Sequence, residues 1–247
     1  KALNGTEMRK LQGAFKSLAY SILNTIYPLK CPVCKRPSNS LLYSPICRNC
    51  WSGIKRYEGA SCRICSEPFT SDAGDICGRC LMERPPFAGV ITYGLYSDTL
   101  KEAINLLKFS SVKRLAKPLG MLIAKLDIPQ VDMIVPVPLS IKRLRQRGFN
   151  QTLLIGRVVS KTLDIPLSSE LLYKKKETLP QAVLSASDRA RNLKNAFATR
   201  SRLKGETVLL VDDVMTTGAT ARECSKTLLK AGAGKVFVAT VARAVML

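Results

Sequence analysis

The chain contains no histidine. Its commonest general base is therefore missing, and any zinc site must be built from thiolates and carboxylates. Acidic residues are scarce: 18 Asp and Glu stand against 39 Lys and Arg, a formal net charge of +21. The excess is not a tail, because residues 1–90 carry 13 basic and 6 acidic residues and residues 91–247 carry 26 and 12. Such a field favours phosphorylated ligands, nucleic acid or anionic surfaces, with a solvated basic surface as the plain alternative. No apolar run approaches the ~20 residues needed to cross a bilayer. Residues 8–27 begin basic, but polar residues interrupt the apolar part and no cleavage site follows. A signal peptide is not expected, and the compartment is read as cytoplasmic. What is present is ordinary for a folded chain: 247 residues, 46% hydrophobic, have room for one large domain or two smaller ones.

Eight of the nine cysteines fall in four C-x-x-C pairs, Cys31/Cys34, Cys47/Cys50, Cys62/Cys65 and Cys77/Cys80, separated by 12, 11 and 11 residues. Two thiolates two residues apart grip a metal from one tight turn, and two such knuckles complete a tetrahedral site. In a reducing compartment the pattern reads as zinc before disulfide, ahead of a redox dithiol or an iron–sulfur site. Each ribbon is too small to fold on its own core, so metal binding supplies its folding energy. Two partitions fit. Consecutive ribbons use Cys31/Cys34/Cys47/Cys50 and Cys62/Cys65/Cys77/Cys80, which the short linker from Trp51 to Ser61 favours. A cross-braced pair joins the first knuckle to the third. Ahead of them Phe15, Leu18, Ala19, Ile22, Leu23, Ile26 and Tyr27 share one helical face. Cys224 stands apart and reads as a buried small hydrophobe.

After Pro85-Pro86 the cysteines stop and α/β alternation begins. Strands are expected at Gly89–Tyr96, Met133–Val137, Leu171–Lys174, Thr207–Val211 and Val236–Val241. Helices are expected at Thr99–Phe109, Val112–Leu126, Phe149–Leu163 and Thr217–Ala231. This alternation implies an α/β fold, a mostly parallel sheet with helices on both faces. The most telling stretch is Val208 to Thr220. The apolar run Val208–Val211 reads as a strand buried on both faces, and it ends in the carboxylates of Asp212 and Asp213. Ligands of open parallel sheets bind at that edge. Thr216, Thr217, Gly218, Ala219 and Thr220 then offer hydroxyls and N–H groups at a helix N-terminus, which suits a phosphate. Diol acceptors beside a phosphate cradle describe a ribose 5-phosphate site.

Two further loops carry unusual charge. Pro136 to Gln151 places Lys142, Arg143, Arg145 and Arg147 within six positions after a strand end, which suits pyrophosphate or a nucleic-acid backbone. Asn150 is placed to cap the following helix. Gln181 to Phe197 holds Arg189, Arg191 and Asn192 without a dominant period and reads as a candidate lid.

The Val208–Thr220 stretch closely resembles the phosphoribosyl pyrophosphate (PRPP) signature of type I phosphoribosyltransferases. The resemblance implies that Asp212 and Asp213 hold the ribose hydroxyls and that Thr216, Thr217, Gly218, Ala219 and Thr220 hold the 5-phosphate. Together with the paired knuckles, the Pro136–Gln151 loop and the Gln181–Phe197 stretch, it resembles the ComF family over roughly residues 28–245. That likeness implies a type I phosphoribosyltransferase-like domain at 85–247, a double zinc ribbon at 31–84 and an amphipathic helix at 1–30. It places Pro138, Leu139 and Ser140 near pyrophosphate and Arg189 on a flexible loop. Two structural zinc ions, Mg²⁺ and PRPP are the implied cofactors and ligand. Single-stranded nucleic acid and DNA-uptake proteins are the implied partners. If the site is catalytic, pyrophosphate leaves C1 of the ribose, an acid of the pair steadies the developing positive charge, and Arg143, Arg147 or Arg189 neutralises the leaving group. The rival class is a nucleic-acid-handling protein, with Tyr43, Trp51, Tyr57 and Phe69 as stacking or packing aromatics. A nucleotide-salvage phosphoribosyltransferase working on a free base is the remaining alternative; no nucleobase pocket or ammonia source is legible, so turnover stays open.

Overall fold

The computed structural model describes residues 29–38, 40–69, 74–177 and 193–245. The helical stripe expected over Phe15–Tyr27 lies outside them, as do Arg189, Arg191 and Asn192. Contacts divide the chain into residues 1–54 and 55–247. The division falls between the two cysteine clusters, whereas the change in composition falls at Pro85-Pro86.

In residues 1–54, Cys31 and Ile46 are fully buried and a short helix, α1 (Arg48–Ser52), carries Cys50 and the buried Trp51. Tyr43 and Trp51 stack with ring centroids 4.7 Å apart and planes 6° from parallel. These two aromatics pack on each other.

Residues 55–247 contain, in chain order, α2 (Gly78–Met82), β1 (Gly89–Leu95), α3 (Asp98–Phe109), α4 (Ala116–Ala124), β2 (Met133–Pro136), α5 (Ile141–Arg147), α6 (Gln151–Leu163), β3 (Leu172–Lys174), β4 (Phe197–Thr199), β5 (Thr207–Met215), α7 (Ala219–Lys230) and β6 (Lys235–Arg243). Strands β1, β6, β5 and β2 form a parallel sheet in that order, and β3 and β4 pair antiparallel. The sheet is parallel because its strands are apolar on both faces. Val208 and Leu210 lie in one core with Ala221, Cys224 and Leu228 of α7, while Leu209 and Val211, of opposite parity, are equally buried. Helices α4 and α6 pack on each other and on the sheet. Gly120 permits their approach, since a Cβ there would meet Val158 at 2.7 Å. Each fully buried aliphatic side chain contributes about 2 kcal/mol.

The strand expected to end at Val211 runs on through both acids to Met215. It does so because β6 keeps pairing with it, Asp212 opposite Thr240 and Val214 opposite Ala242. On its other side β2 stops at Pro136, opposite Val211. Val137 donates a last bond to the Val211 carbonyl at 2.9 Å, and Pro138, without an N–H, cannot extend the ladder. The sheet therefore opens beside Asp212.

Three other expectations are corrected. The basic Pro136–Gln151 stretch contains a helix, α5, capped by the Ser140 hydroxyl accepting from the Arg143 N–H at 3.4 Å and closed by Gly148 at φ 74°. The helix expected over Val112–Leu126 is a 3₁₀ turn at Lys113–Leu115 followed by α4, with Pro118 in its first turn. The Gln181–Phe197 stretch, read as a loop, ends in a strand, because buried Phe197 is the first residue of β4.

The second cysteine cluster is built into the sheet. Cys62, Ile64, Cys65 and Cys80 share one core with Phe87, Val90 and Leu210, and Phe69 packs against it. Val90 donates to the Ile64 carbonyl at 2.9 Å, and the Ser66 hydroxyl donates to the Val90 carbonyl at 2.6 Å.

Candidate functional site

Where β5 outruns β2, a cavity of about 620 Å³ opens. Asp212, Asp213, Thr216, Gly218, Ala219, Thr220, Pro138, Leu139, Ser140, Arg143 and Arg147 all line it. Three stretches far apart in sequence thus meet at one strand edge. Thr217 does not line the cavity; its hydroxyl accepts from the Ala219 N–H at 3.4 Å. Arg189 lies outside the described residues.

The two acids differ sharply. Asp213 is buried, with Lys108 Nζ 2.8 Å from Oδ1 and the Gln151 amide donating to Oδ2 at 2.7 Å. The Val214 N–H donates to Oδ1 at 2.7 Å. Asp213 is thus fully engaged by this chain's own groups. Asp212 is half-buried and faces the cavity, and its Oδ1 accepts the Asp213 N–H at 2.8 Å. Although part of its surface is open, it sits in dense protein surroundings: burial first, and then the Asp213 charge, push its carboxyl up to about 8, against the pull of Lys108. Asp213 is committed within the chain, and Asp212 favours its proton until a cation or another charged ligand displaces it.

Beyond the acids, the chain turns at Gly218, φ 78°, into α7. A Cβ at Gly218 would meet Met215 Cε at 2.6 Å. Gly218 holds the N-cap position and has no side chain to fill it, so the positive end of α7 borders the cavity. Arg143, Arg147 and Lys174 also line the cavity. Burial holds Arg147 below its ordinary value, with Arg143 adding to the effect and Asp213 opposing it. Burial likewise lowers Lys174, with Arg143 next. Arg147 also donates to the Gln151 side chain and lies 5.5 Å from the centre of the exposed Phe109 ring. With Lys108 matched to Asp213, Arg143, Arg147 and Lys174 leave the lining net basic, and the cavity suits an anionic, hydroxyl-bearing ligand.

Sequence reading did not find Lys108, Gln151 or Lys174. Lys108 looks like an ordinary basic residue in a helix's last turn, which already suits the helix dipole. Gln151 stood inside the basic loop, but its bond to an acid 62 residues away had no local signature. Asn150, expected as a cap, accepts from the Thr152 N–H at 3.1 Å and donates to the Val137 carbonyl at 3.1 Å, tying α6 to the end of β2.

The cysteines gather as consecutive sets, Cys31/Cys34/Cys47/Cys50 and Cys62/Cys65/Cys77/Cys80, with the four sulfurs of each within 4.8 Å of one another. The cross-braced alternative is thereby set aside. Cys34 and Cys47 Sγ are 3.7 Å apart and Cys65 and Cys77 Sγ 3.6 Å. A tetrahedron of zinc–sulfur bonds about 2.3 Å long sets its sulfurs about 3.8 Å apart, so the donors fit the metal. Each first knuckle turns through a left-handed residue, Lys35 at φ 63° and Ser66 at φ 54°. Burial opposes thiolate formation at Cys31 and Cys62, but backbone N–H groups outweigh it and bring both down to about 7. Burial and neighbouring sulfurs push Cys50 up to about 12. Such crowding of thiols is relieved by a shared dication.

A double zinc ribbon domain model matches residues 22–81, and a phosphoribosyl transferase domain model matches residues 151–245. The DNA utilization protein YhgH of Escherichia coli (strain K12) is 36% identical over 221 residues, covering 85% of this chain and 95% of that protein. Competence protein F of Haemophilus influenzae is 34% identical over 212 residues, covering 81% and 90%. Competence protein ComFC of Bacillus subtilis (strain 168) is 28% identical over 201 residues, covering 76% and 79%. With paired Cys₄ ribbons, a parallel sheet of type I phosphoribosyltransferase-like form and relatives that match over most of their length, the chain belongs to the ComF family.

Proposed function

We propose that this protein serves DNA uptake, handling imported single-stranded DNA in the cytoplasm, and that its cavity binds PRPP with Mg²⁺. The observation that carries the ligand is the meeting of the acid pair, the α7 N-terminus and the Pro138–Ser140 turn around one basic cavity. The donors fit the group. Asp212 is the acid offered to the ligand, since a hard, oxygen-seeking cation would displace the proton that its surroundings favour, while Asp213 is already matched by Lys108. The Thr216–Thr220 turn takes the 5-phosphate at the helix N-terminus. Pro138 to Ser140, with Arg143 and Arg147, takes the pyrophosphate. Arg189, which lies outside the described residues, is a further candidate for the pyrophosphate. When bound, Mg²⁺ would screen the charge of the pyrophosphate; the chain's own basic groups position that pyrophosphate and exclude alternatives.

The names of the relatives from E. coli, H. influenzae and B. subtilis support the DNA role, and the net charge of +21 supplies the field for a phosphate backbone. Single-strand binding is tested by titration at several salt concentrations. Affinity should fall steeply as salt rises; a flat or absent response would sink the phosphate-contacting role. Complementing a deletion strain with the Asp212→Asn/Asp213→Asn variant then asks whether uptake needs the site. Transformation should drop, and rescue equal to wild type would separate uptake from the cavity.

The second reading is turnover, displacing pyrophosphate from PRPP. It is favoured by the buried, precisely paired Asp213 and by cations on the leaving-group side. Pyrophosphate release on adding a nucleophile would support it, and none across nucleobases and ammonia would leave the site as a sensor.

A further inference from the structure

Arg243 is the last residue of β6 and the bulkiest of the fully buried side chains, with 1% of its surface exposed. Its guanidinium makes five bonds, all within residues 55–247. Nη1 donates to the Met215 carbonyl at 2.9 Å, to the Thr216 carbonyl, and to the Ala244 carbonyl at 3.1 Å. Nε donates to the Cys65 carbonyl at 3.2 Å, and Nη2 pairs with the Glu67 carboxylate. Met215 and Thr216 lead into the phosphate turn. Cys65 is one of the four sulfurs of the second cluster, and Glu67 lies two residues beyond it.

A buried guanidinium is costly unless its charge and all its donors are matched. Here the matching is divided: the phosphate turn supplies two carbonyls, and the Cys62/Cys65 knuckle of the second cluster supplies a carbonyl and a carboxylate. Neither side can shift alone without leaving a buried donor or charge unmatched. The knuckle's own shape is set by Cys62, Cys65, Cys77 and Cys80 converging within 4.8 Å, an arrangement that four crowded thiols do not hold without a cation.

We propose that Arg243 is a positioning residue that makes the geometry of the phosphate turn depend on metal at the second cysteine cluster. Loading that cluster fixes Cys65 and Glu67, these fix Arg243, and Arg243 fixes the Met215 and Thr216 carbonyls at the mouth of the cavity. By linkage the dependence is reciprocal: a ligand that orders the turn slows metal loss from the second cluster. The functional consequence rests on reading the cavity as a PRPP site; the mechanical one does not.

The test is amide hydrogen exchange on the full zinc-loaded chain, read over Val214 to Ala221. Cys77→Ser/Cys80→Ser should raise exchange there by about tenfold, while Cys34→Ser/Cys50→Ser, which disables the other cluster, should not. Arg243→Met should raise exchange with both zinc ions still bound. If that variant fails to fold, Glu67→Gln, which keeps the guanidinium and the knuckle, should give a smaller rise with zinc content unchanged. Unchanged exchange in Cys77→Ser/Cys80→Ser, or an equal rise in both cluster variants, would overturn the proposal. Calorimetry with PRPP and Mg²⁺ on the same samples keeps the two ideas apart. If exchange responds and PRPP does not bind, the strut stands and the ligand assignment falls.

Discussion

At the scale of single residues, the two adjacent acids make opposite demands on stability. Folded Asp212 is pushed up to about 8 against an ordinary value of 3.8, so the folded state prefers the proton. This contribution to stability is full below about pH 4 and is lost as pH rises through about 8. Asp212→Asn removes the titration. The ligand-free variant should therefore be more stable than wild type at pH 8 by about 1 kcal/mol, a Tm higher by about 2–4 °C, with the gap closing toward pH 4. A thermal scan across pH that shows no gap, or a reversed one, would contradict the placement of Asp212. Asp213 behaves differently because its charge is matched. Lys108→Met leaves a buried carboxylate with only amide partners and should cost about 3 kcal/mol in denaturant unfolding. Adding Asp213→Asn should recover most of that loss, and a double-mutant cycle showing simple additivity would exclude the pairing.

At the scale of elements, the site exists because two neighbouring strands differ in length. Pro136 and Pro138 stop β2, whereas β5 runs on beside β6 to Met215. This edge was legible in part. The apolar run, the acid pair and the Thr/Gly turn name a strand, an acidic strand end and a turn into a helix, since each has a local physical signature. The extra length of β5 had none, because Asp212 and Asp213 disfavour a strand on their own and are held there by pairing to Thr240 and its neighbours. Helix α5 was likewise obscured: its basic residues suit a loop as well as a helix, and the Ser140 cap decides. Partners distant in sequence, such as Lys108, Gln151 and Arg243, leave no trace in neighbouring sequence at all. Gly218 is the residue on which the turn into α7 depends. Gly218→Ala must adopt φ near 78° and should lose about 1–2 kcal/mol, with phosphate-ligand affinity falling further than stability. Equal stability and affinity in calorimetry of the two proteins would contradict the turn's role.

At the scale of the whole molecule, cysteine spacing and charge were the most readable features. The composition break at Pro85-Pro86 separates cysteine-rich from cysteine-free sequence, yet the second cluster packs in the sheet's own core through Cys62, Ile64 and Cys80. Composition records which residues are near in sequence, and contact follows burial. The protein should release two zinc ions per chain on denaturation, and a strong chelator should lower the stability of the native state. A content of one or none would contradict the paired ribbons. The proposed binding of PRPP with Mg²⁺ in the cavity beside β5 is measured most directly by calorimetry on the zinc-loaded chain. Wild type should bind at one site per chain, and Asp212→Asn/Asp213→Asn, shown folded by its zinc content and melting curve, should lose that heat. No binding by wild type, or equal binding by the variant, would contradict the claim.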